Sequence, residues 1–213
     1  MVRAILDGRK TVTRRPVKGG QIPRLEYPGQ SEPWVAVAQH HPRYGFAVYG
    51  KSEEECATKV GVFGACPYGQ RGARLWVRET WAADAQVDGV APRNLSQGEP
   101  IYYPADDSLR QTGCSMIAQG KCRPSIHMPR WASRIVLEIS SIRIEQLHSI
   151  TAEQAEAEGV DASICRKHLE ISPSRHECKA AAIHGFAGLW QSTGGDWDSN
   201  PWVWVVEFQR IAP

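Results

Sequence analysis

The segment Trp202-Val203-Trp204-Val205-Val206-Glu207-Phe208 constrains the fold more than any other. Successive side chains of a strand point to opposite faces, so a run that is apolar at both parities leaves no face for water. Such a strand must be central, with neighbours on both edges and packing on both faces. Arg134–Leu147 is the clearest candidate neighbour. Ile135, Leu137 and Ile139 share one parity, Ile142 and Ile144 the other, and the change of phase at Ser140-Ser141 implies a bulge or sharp bend. Arg74–Glu79 alternates as a further strand. Trp34–Ala38 and Tyr44–Tyr49 read as a hairpin across a polar turn at 39–43.

Helical signals are fewer. Val2, Ile5 and Leu6 give an i, i+3, i+4 pattern that ends at Gly8, and Thr151-Ala152-Glu153-Gln154 is a capping-box start for a short helix running to about Glu158, before Gly159. A longer helix starts near Ser174, with Glu177 at the capping-box position. It carries Ile183, Phe186 and Trp190 at helical spacing and stops before Gly194-Gly195. Lys51–Gly72 is rich in turn residues, and 82–124 is polar, punctuated by Gly and Pro, and irregular; a loop of that length is functional or partly disordered. Together these elements predict a mainly β, α+β chain: one domain, 1–213, built as a small closed or nearly closed β-barrel with two flanking helices and insertions at about 17–72 and 82–123.

Chemistry concentrates just after the first helix. Gly8-Arg9-Lys10-Thr11-Val12-Thr13-Arg14-Arg15 packs two hydroxyls, one amine and three guanidiniums into eight residues, and period-two alternation puts Thr11, Thr13 and Arg15 on one strand face. A threonine becomes a nucleophile only if a base takes its proton, and a lysine serves as that base only when burial or neighbouring cations lower its pKa. The same residues equally suit an exposed strand or an RNA-contacting edge. A second basic segment, 123–134, combines Arg123, Arg130 and Arg134 with Trp131; arginine and tryptophan together can clamp a phosphate and stack on a base, or can cap a barrel end.

Several classes are excluded or disfavoured. The net charge of +2 gives no global field toward nucleic acid or membrane. There is no GxGxxG, GxxxxGK[ST], HExxH or GxSxG, and no apolar run of membrane length. The six cysteines form no CxxC pair, which fits reduced thiols and a cytoplasmic setting. Cys165, His168, His176 and Cys178 are zinc-ligand types at a spacing foreign to familiar knuckles, so no metal or other cofactor is expected.

Five segments together resemble the ASCH family, and most closely its phage and prophage branch: 1–15, Cys-Pro-Tyr-Gly at 66–69, Leu-Trp-Val-Arg-Glu-Thr-Trp at 75–81, 124–134 and 200–208. The resemblance spans nearly the whole chain. It implies a PUA-like β-barrel related to RNA-binding domains, located in the host cytoplasm if phage-encoded. Small bacterial members include an amidohydrolase that releases acetate from N4-acetylcytidine. Carried over position by position, that likeness implies Lys10 as base, Thr13 as nucleophile and Glu158 as the acid, with Glu156 second choice for the last role. Arg15 and Thr11 would contact substrate. The alternative implied by the family is a non-catalytic RNA-binding or ribonuclease-type module, with Arg130, Trp131 and Arg134 meeting RNA. The chain has Gly72-Ala73 where the family usually has Gly-Asp, and relatives often carry a strand before the position of Met1, which would leave one barrel edge unpaired.

Overall fold

The computed structural model describes residues 1–38, 46–64, 66–160 and 175–211, and for 175–180 the backbone only. The protein is a mixed α+β chain in which strands predominate: among the described residues there are nine strands and four α-helices. The chain divides into two compact units. The larger comprises Gly8–Ala73 and Glu138–Gln209; the smaller comprises Met1–Asp7, Arg74–Leu137 and the chain from Arg210.

The main sheet is curled into a half-barrel, with strand order β1 (Val12–Pro16), β9 (Trp202–Ile211), β8 (Val136–Gln146), β5 (Arg74–Trp76). β9 is central, as its two apolar faces require. Val203 and Val205 join one core with Val12, and Trp202 and Trp204 join another with Val17 and Ile144. β1 pairs with β9 antiparallel, with Val12 opposite Glu207, Thr13 opposite Val206 and Arg15 opposite Trp204. In β8, Leu137 and Ile139 are buried at one parity and Ile144 at the other, so the phase changes around Ser140-Ser141 as the sequence predicts.

The first core is closed by α3 (Ala152–Ala157) and α4 (Arg175–Ser192), the two expected helices. Thr151 caps α3 reciprocally with Gln154, and α4 contributes Phe186 and Trp190. The predicted start of α4 at Ser174 lies outside the described residues, as do the turn at 39–43 and Tyr44. The hairpin itself is present in the larger unit as β3 (Trp34–Val37) and β4 (Ala47–Gly50), with β2 (Arg24–Leu25) on its other side.

Three expectations are corrected. Residues 51–72 are not simply turns: α2 (Glu53–Phe63) starts at Ser52, whose hydroxyl accepts from Glu55 N–H at 3.2 Å, and buries Cys56, Ala57 and Val60 in the second core. Three glutamates in its first turn favour the start through the helix dipole. β5 ends at Trp76 rather than Glu79, and beyond it Glu79 is buried and paired with Arg134. Residues 82–124 are ordered around a core of Trp81, Leu95, Ile101 and Tyr103, with a short hairpin of β6 (Ile101–Tyr103) and β7 (Ser108–Arg110). Irregular backbone there is held by side chains. Asp84 accepts from the N–H groups of Gln86, Ile117 and Ala118, and Arg123 donates to the carbonyls of Val87 and Val90. The remaining α-helix, α1 (Val2–Leu6), ends before Gly8, whose φ of +71° only glycine adopts readily.

Loss of the Thr151 cap tests how far α3 depends on it. Thr151→Ala should lower the unfolding free energy by about 1 kcal/mol, measured by urea denaturation. An unchanged midpoint would show that tertiary packing alone sets the helix start.

Candidate functional site

Two backbone features bring Lys10 to the end of α3. Gly8 reverses the chain after α1, and the Thr11 N–H donates to Ala157 O at 2.9 Å, tying the start of β1 to the last residue of the helix. Glu158 is the C-cap residue of α3. Lys10 Nζ therefore donates to Glu158 Oε2 and Glu158 O, each at 2.7 Å, and to Val12 O at 2.9 Å. Both residues are 5% exposed. A cation at a helix C-terminus is also favoured by the carbonyl dipoles it meets there.

Arg14 shares the strand face of Lys10 and Val12 and is 1% exposed. Its Nη2 donates to Glu145 Oε1 at 2.6 Å and to Gln154 Oε1 at 2.9 Å. The Gln154 amide oxygen that accepts from Arg14 is the one that closes the α3 capping box. Arg14 Nη1 stands 3.5 Å from Glu158 Oε1, and neither of these buried atoms makes a hydrogen bond. The cluster thus sets two cations against two carboxylates, and its net charge is zero. It continues outward: Arg143 Nε donates to Glu145 Oε2, Arg143 Nη1 to Glu207, and Ser141 Oγ to Glu207 Oε2. The Arg143 guanidinium beside Glu207 holds that carboxyl below its ordinary pKa.

Burial lowers the pKa of Lys10 from its ordinary 10.5. Glu158 opposes this, while Arg15 and Arg14 add to it. A lowered pKa is the direction a lysine needs in order to act as a base.

The remaining candidates fall elsewhere. Thr11, Thr13 and Arg15 occupy the other face of β1. Thr13 is half-buried, and its hydroxyl makes no hydrogen bond to Lys10, whose three donors are already engaged. Thr11 and Arg15 are exposed, and Arg15 Nη1 donates to Arg14 O. Glu156 is exposed and is not among the hydrogen-bond partners of buried Lys10. Arg14 and Glu145 are what the sequence reading missed. The alternation was legible, but parity alone does not say which face of a basic strand is inside.

The segment 123–134 belongs to the smaller unit, and its basic side chains are largely engaged. Arg134 makes a two-pronged pair with Glu79, at 2.9 Å for each bond, and also binds Asp106, with its guanidinium 4.0 Å from the centre of the Tyr103 ring. The hydrogen bond from Arg134 holds Asp106 at a pKa of about 2. Arg123 stacks on Trp81, and Trp131 is covered by Arg110, which also donates to its carbonyl. Arg130 is exposed. Among the described residues, no group of His, Cys, Asp and Glu is arranged to hold a metal ion. The side chains of Cys165, His168, His176 and Cys178 lie outside that description.

No helix among the described residues is long and apolar enough to cross a membrane. Compared with known proteins, the chain matches no family model, no curated protein and no solved structure.

Two outcomes follow from the cluster. Removing one partner of a buried pair strands the other charge, so Arg14→Met should cost about 3–5 kcal/mol, and Arg15→Met, on the exposed side, under about 0.5 kcal/mol. Equal costs in denaturant titrations would contradict the assignment of the inner face. In the second, the unfolded chain holds the Lys10 proton up to pH 10.5, whereas the native protein releases it earlier. Between those two pKa values the wild-type unfolding free energy should therefore rise with pH relative to Lys10→Met. A difference that falls with pH would mean that Glu158 outweighs burial.

Proposed function

We propose that this chain is a PUA-like protein of the ASCH family and acts as an amidohydrolase on N4-acylated cytidine or a related modified nucleoside. One observation carries the reading: a lysine and a glutamate 148 positions apart meet at 2.7 Å in a site closed to solvent, where burial lowers the lysine pKa. They are the lysine and the glutamate that the family resemblance selects as base and acid.

In this reading Thr13 Oγ1 attacks the acyl carbonyl carbon and gives its proton to Lys10. Thr13 lies on the opposite face of β1 from Lys10, and Nζ is committed to Glu158 and two carbonyls in the resting protein, so the transfer requires a water relay between them, and Lys10 receives the proton once its own has passed to Glu158 Oε2. Collapse of the tetrahedral intermediate breaks the C–N bond, and the Glu158 proton goes to the departing N4 amine. Water then attacks the Thr13 ester and gives its proton to Lys10 as the Lys10 proton passes to Glu158; breaking of the C–Oγ1 bond returns the Glu158 proton to Thr13, and the carboxylic acid formed leaves as carboxylate with its proton released to solvent. Arg15, exposed beside Thr13 on its face, would orient the substrate carbonyl. The RNA-binding alternative draws less support, since Arg123 and Arg134 are spent on carbonyls, carboxylates and rings.

The test is hydrolysis of N4-acetylcytidine, followed by absorbance and chromatography. Wild type should turn over. Thr13→Ala should lose about 10²–10⁴-fold or more in kcat with its thermal midpoint unchanged, and Glu158→Gln should lose activity together with stability. No turnover by wild type, or full turnover by Thr13→Ala, would overturn the proposal.

A further inference from the structure

The larger unit contains a second feature that the Lys10–Glu158 cluster does not use. A cavity of about 700 Å³ opens between the C-terminal end of α2, the turn after Cys66 and the bend of β8. Its volume lies within the range of small-molecule sites. Two sequence signals without a role in the proposed chemistry converge there: the Cys66-Pro67-Tyr68-Gly69 turn and the phase change at Ser140-Ser141.

Two of the lining glycines mark close approaches between the elements that form the wall. A Cβ on Gly69, whose φ is +126°, would lie 3.0 Å from Ile139 Cδ1. A Cβ on Gly61 would sit 3.5 Å from Ile144 N, so α2 approaches β8 closely and bare backbone forms part of the wall.

The lining has one sign of charge. It includes Arg71 but no aspartate or glutamate, and Arg71 has no hydrogen-bond or ion-pair partner among the described residues. Next to it, Gln70 O accepts from Ala73 N–H at 2.9 Å across a turn with Gly72 at φ +82°, and among the described residues the N–H groups of Gln70 and Arg71 make no bond to another backbone group. Arg71 is exposed, and with no carboxylate in the lining it gives the cavity a positive charge that an anion can pair with. Ile142 and Ala73 add apolar wall, and Ser140 adds a hydroxyl. The volume greatly exceeds that of inorganic phosphate alone.

We infer that this cavity is a binding site for a phosphate monoester carried on a ring-bearing organic body, of the size of a nucleoside monophosphate, with Arg71 and the Gln70–Arg71 amides on the phosphate. Cys66 stands on the wall as a built-in reporter. Its thiol is half-buried and pushed up in pKa by desolvation, against N–H donation from Tyr68 and Gly69. The site is separate from the proposed catalytic pair and holds whether or not the chain hydrolyses amides.

The experiment is calorimetric titration of the full chain with the four common nucleoside 5′-monophosphates, the matching nucleosides and inorganic phosphate. Alkylation of Cys66 by iodoacetamide is followed in parallel by peptide mass spectrometry, with exposed Cys122 as internal reference. At least one monophosphate should bind and slow alkylation at Cys66 but not at Cys122, and its nucleoside should bind about tenfold or more weakly. Arg71→Glu should remove both effects, Arg71→Lys should retain binding in part, and Thr13→Ala should leave binding unchanged. The inference fails if no monophosphate binds, if binding survives Arg71→Glu, or if bound monophosphate leaves Cys66 unprotected. Binding lost in Thr13→Ala but kept in Arg71→Glu would assign the phosphate to the other site.

Discussion

The larger unit is organised around charges it cannot expose. Lys10 and Arg14 enter the interior from β1, Glu145 from β8 and Glu158 from the end of α3, and each is satisfied only if the other elements are in place. Isolated ions in a protein interior are costly, so the four must assemble together or not at all. That requirement fixes details that apolar packing would leave loose. It sets where α3 stops relative to β1, through the Thr11 to Ala157 bond, and it recruits Gln154 to serve the helix cap and Arg14 at once.

The two units hold their backbone by different means. In the larger, apolar alternation and strand pairing carry the architecture, and the ionic residues form a cross-strand ladder from Arg14 through Glu145 and Arg143 to Glu207 and Ser141. In the smaller, strands are short. Order comes from carboxylates and guanidiniums that bind main-chain groups, and from arginines laid on Trp76, Trp81, Tyr103 and Trp131. A polar, glycine-rich segment is held in one conformation that way without burying a large core of its own.

This difference explains what could be read from the sequence. Where periodicity carries the structure, it was legible: the two-sided β9, the bend at Ser140-Ser141, and the Thr151 cap follow from residue pattern alone. Residues 82–124 were not legible, because a bond such as that from Ala118 N–H to Asp84 joins positions 34 apart and leaves no periodic trace. α2 was missed although Ser52 and Glu55 stand at cap spacing, since its buried face is made of Cys56, Ala57 and Val60, too small to signal a helix. At the site, the resemblance selected Lys10 and Glu158, and they meet. The resemblance also named Arg15, which is exposed, and not the buried Arg14, because a buried arginine is recognisable only when its carboxylates, 131 and 144 positions away, are seen beside it.

Arg14 also bears on what Lys10 can do. A lysine locked to one buried carboxylate is normally a poor base, because losing its proton leaves that carboxylate uncompensated. Here Glu158 has a second cation 3.5 Å from its other oxygen, and neither atom of that contact is hydrogen-bonded in the resting state. In the proposed reaction the Lys10 proton passes to Glu158 Oε2, which neutralises that carboxylate and leaves Arg14 balanced by Glu145. Glu145 keeps Arg14 in position during that transfer through Nη2, at 2.6 Å. The stretched contact would let Glu158 take up that proton in the proposed reaction without breaking a hydrogen bond from Arg14.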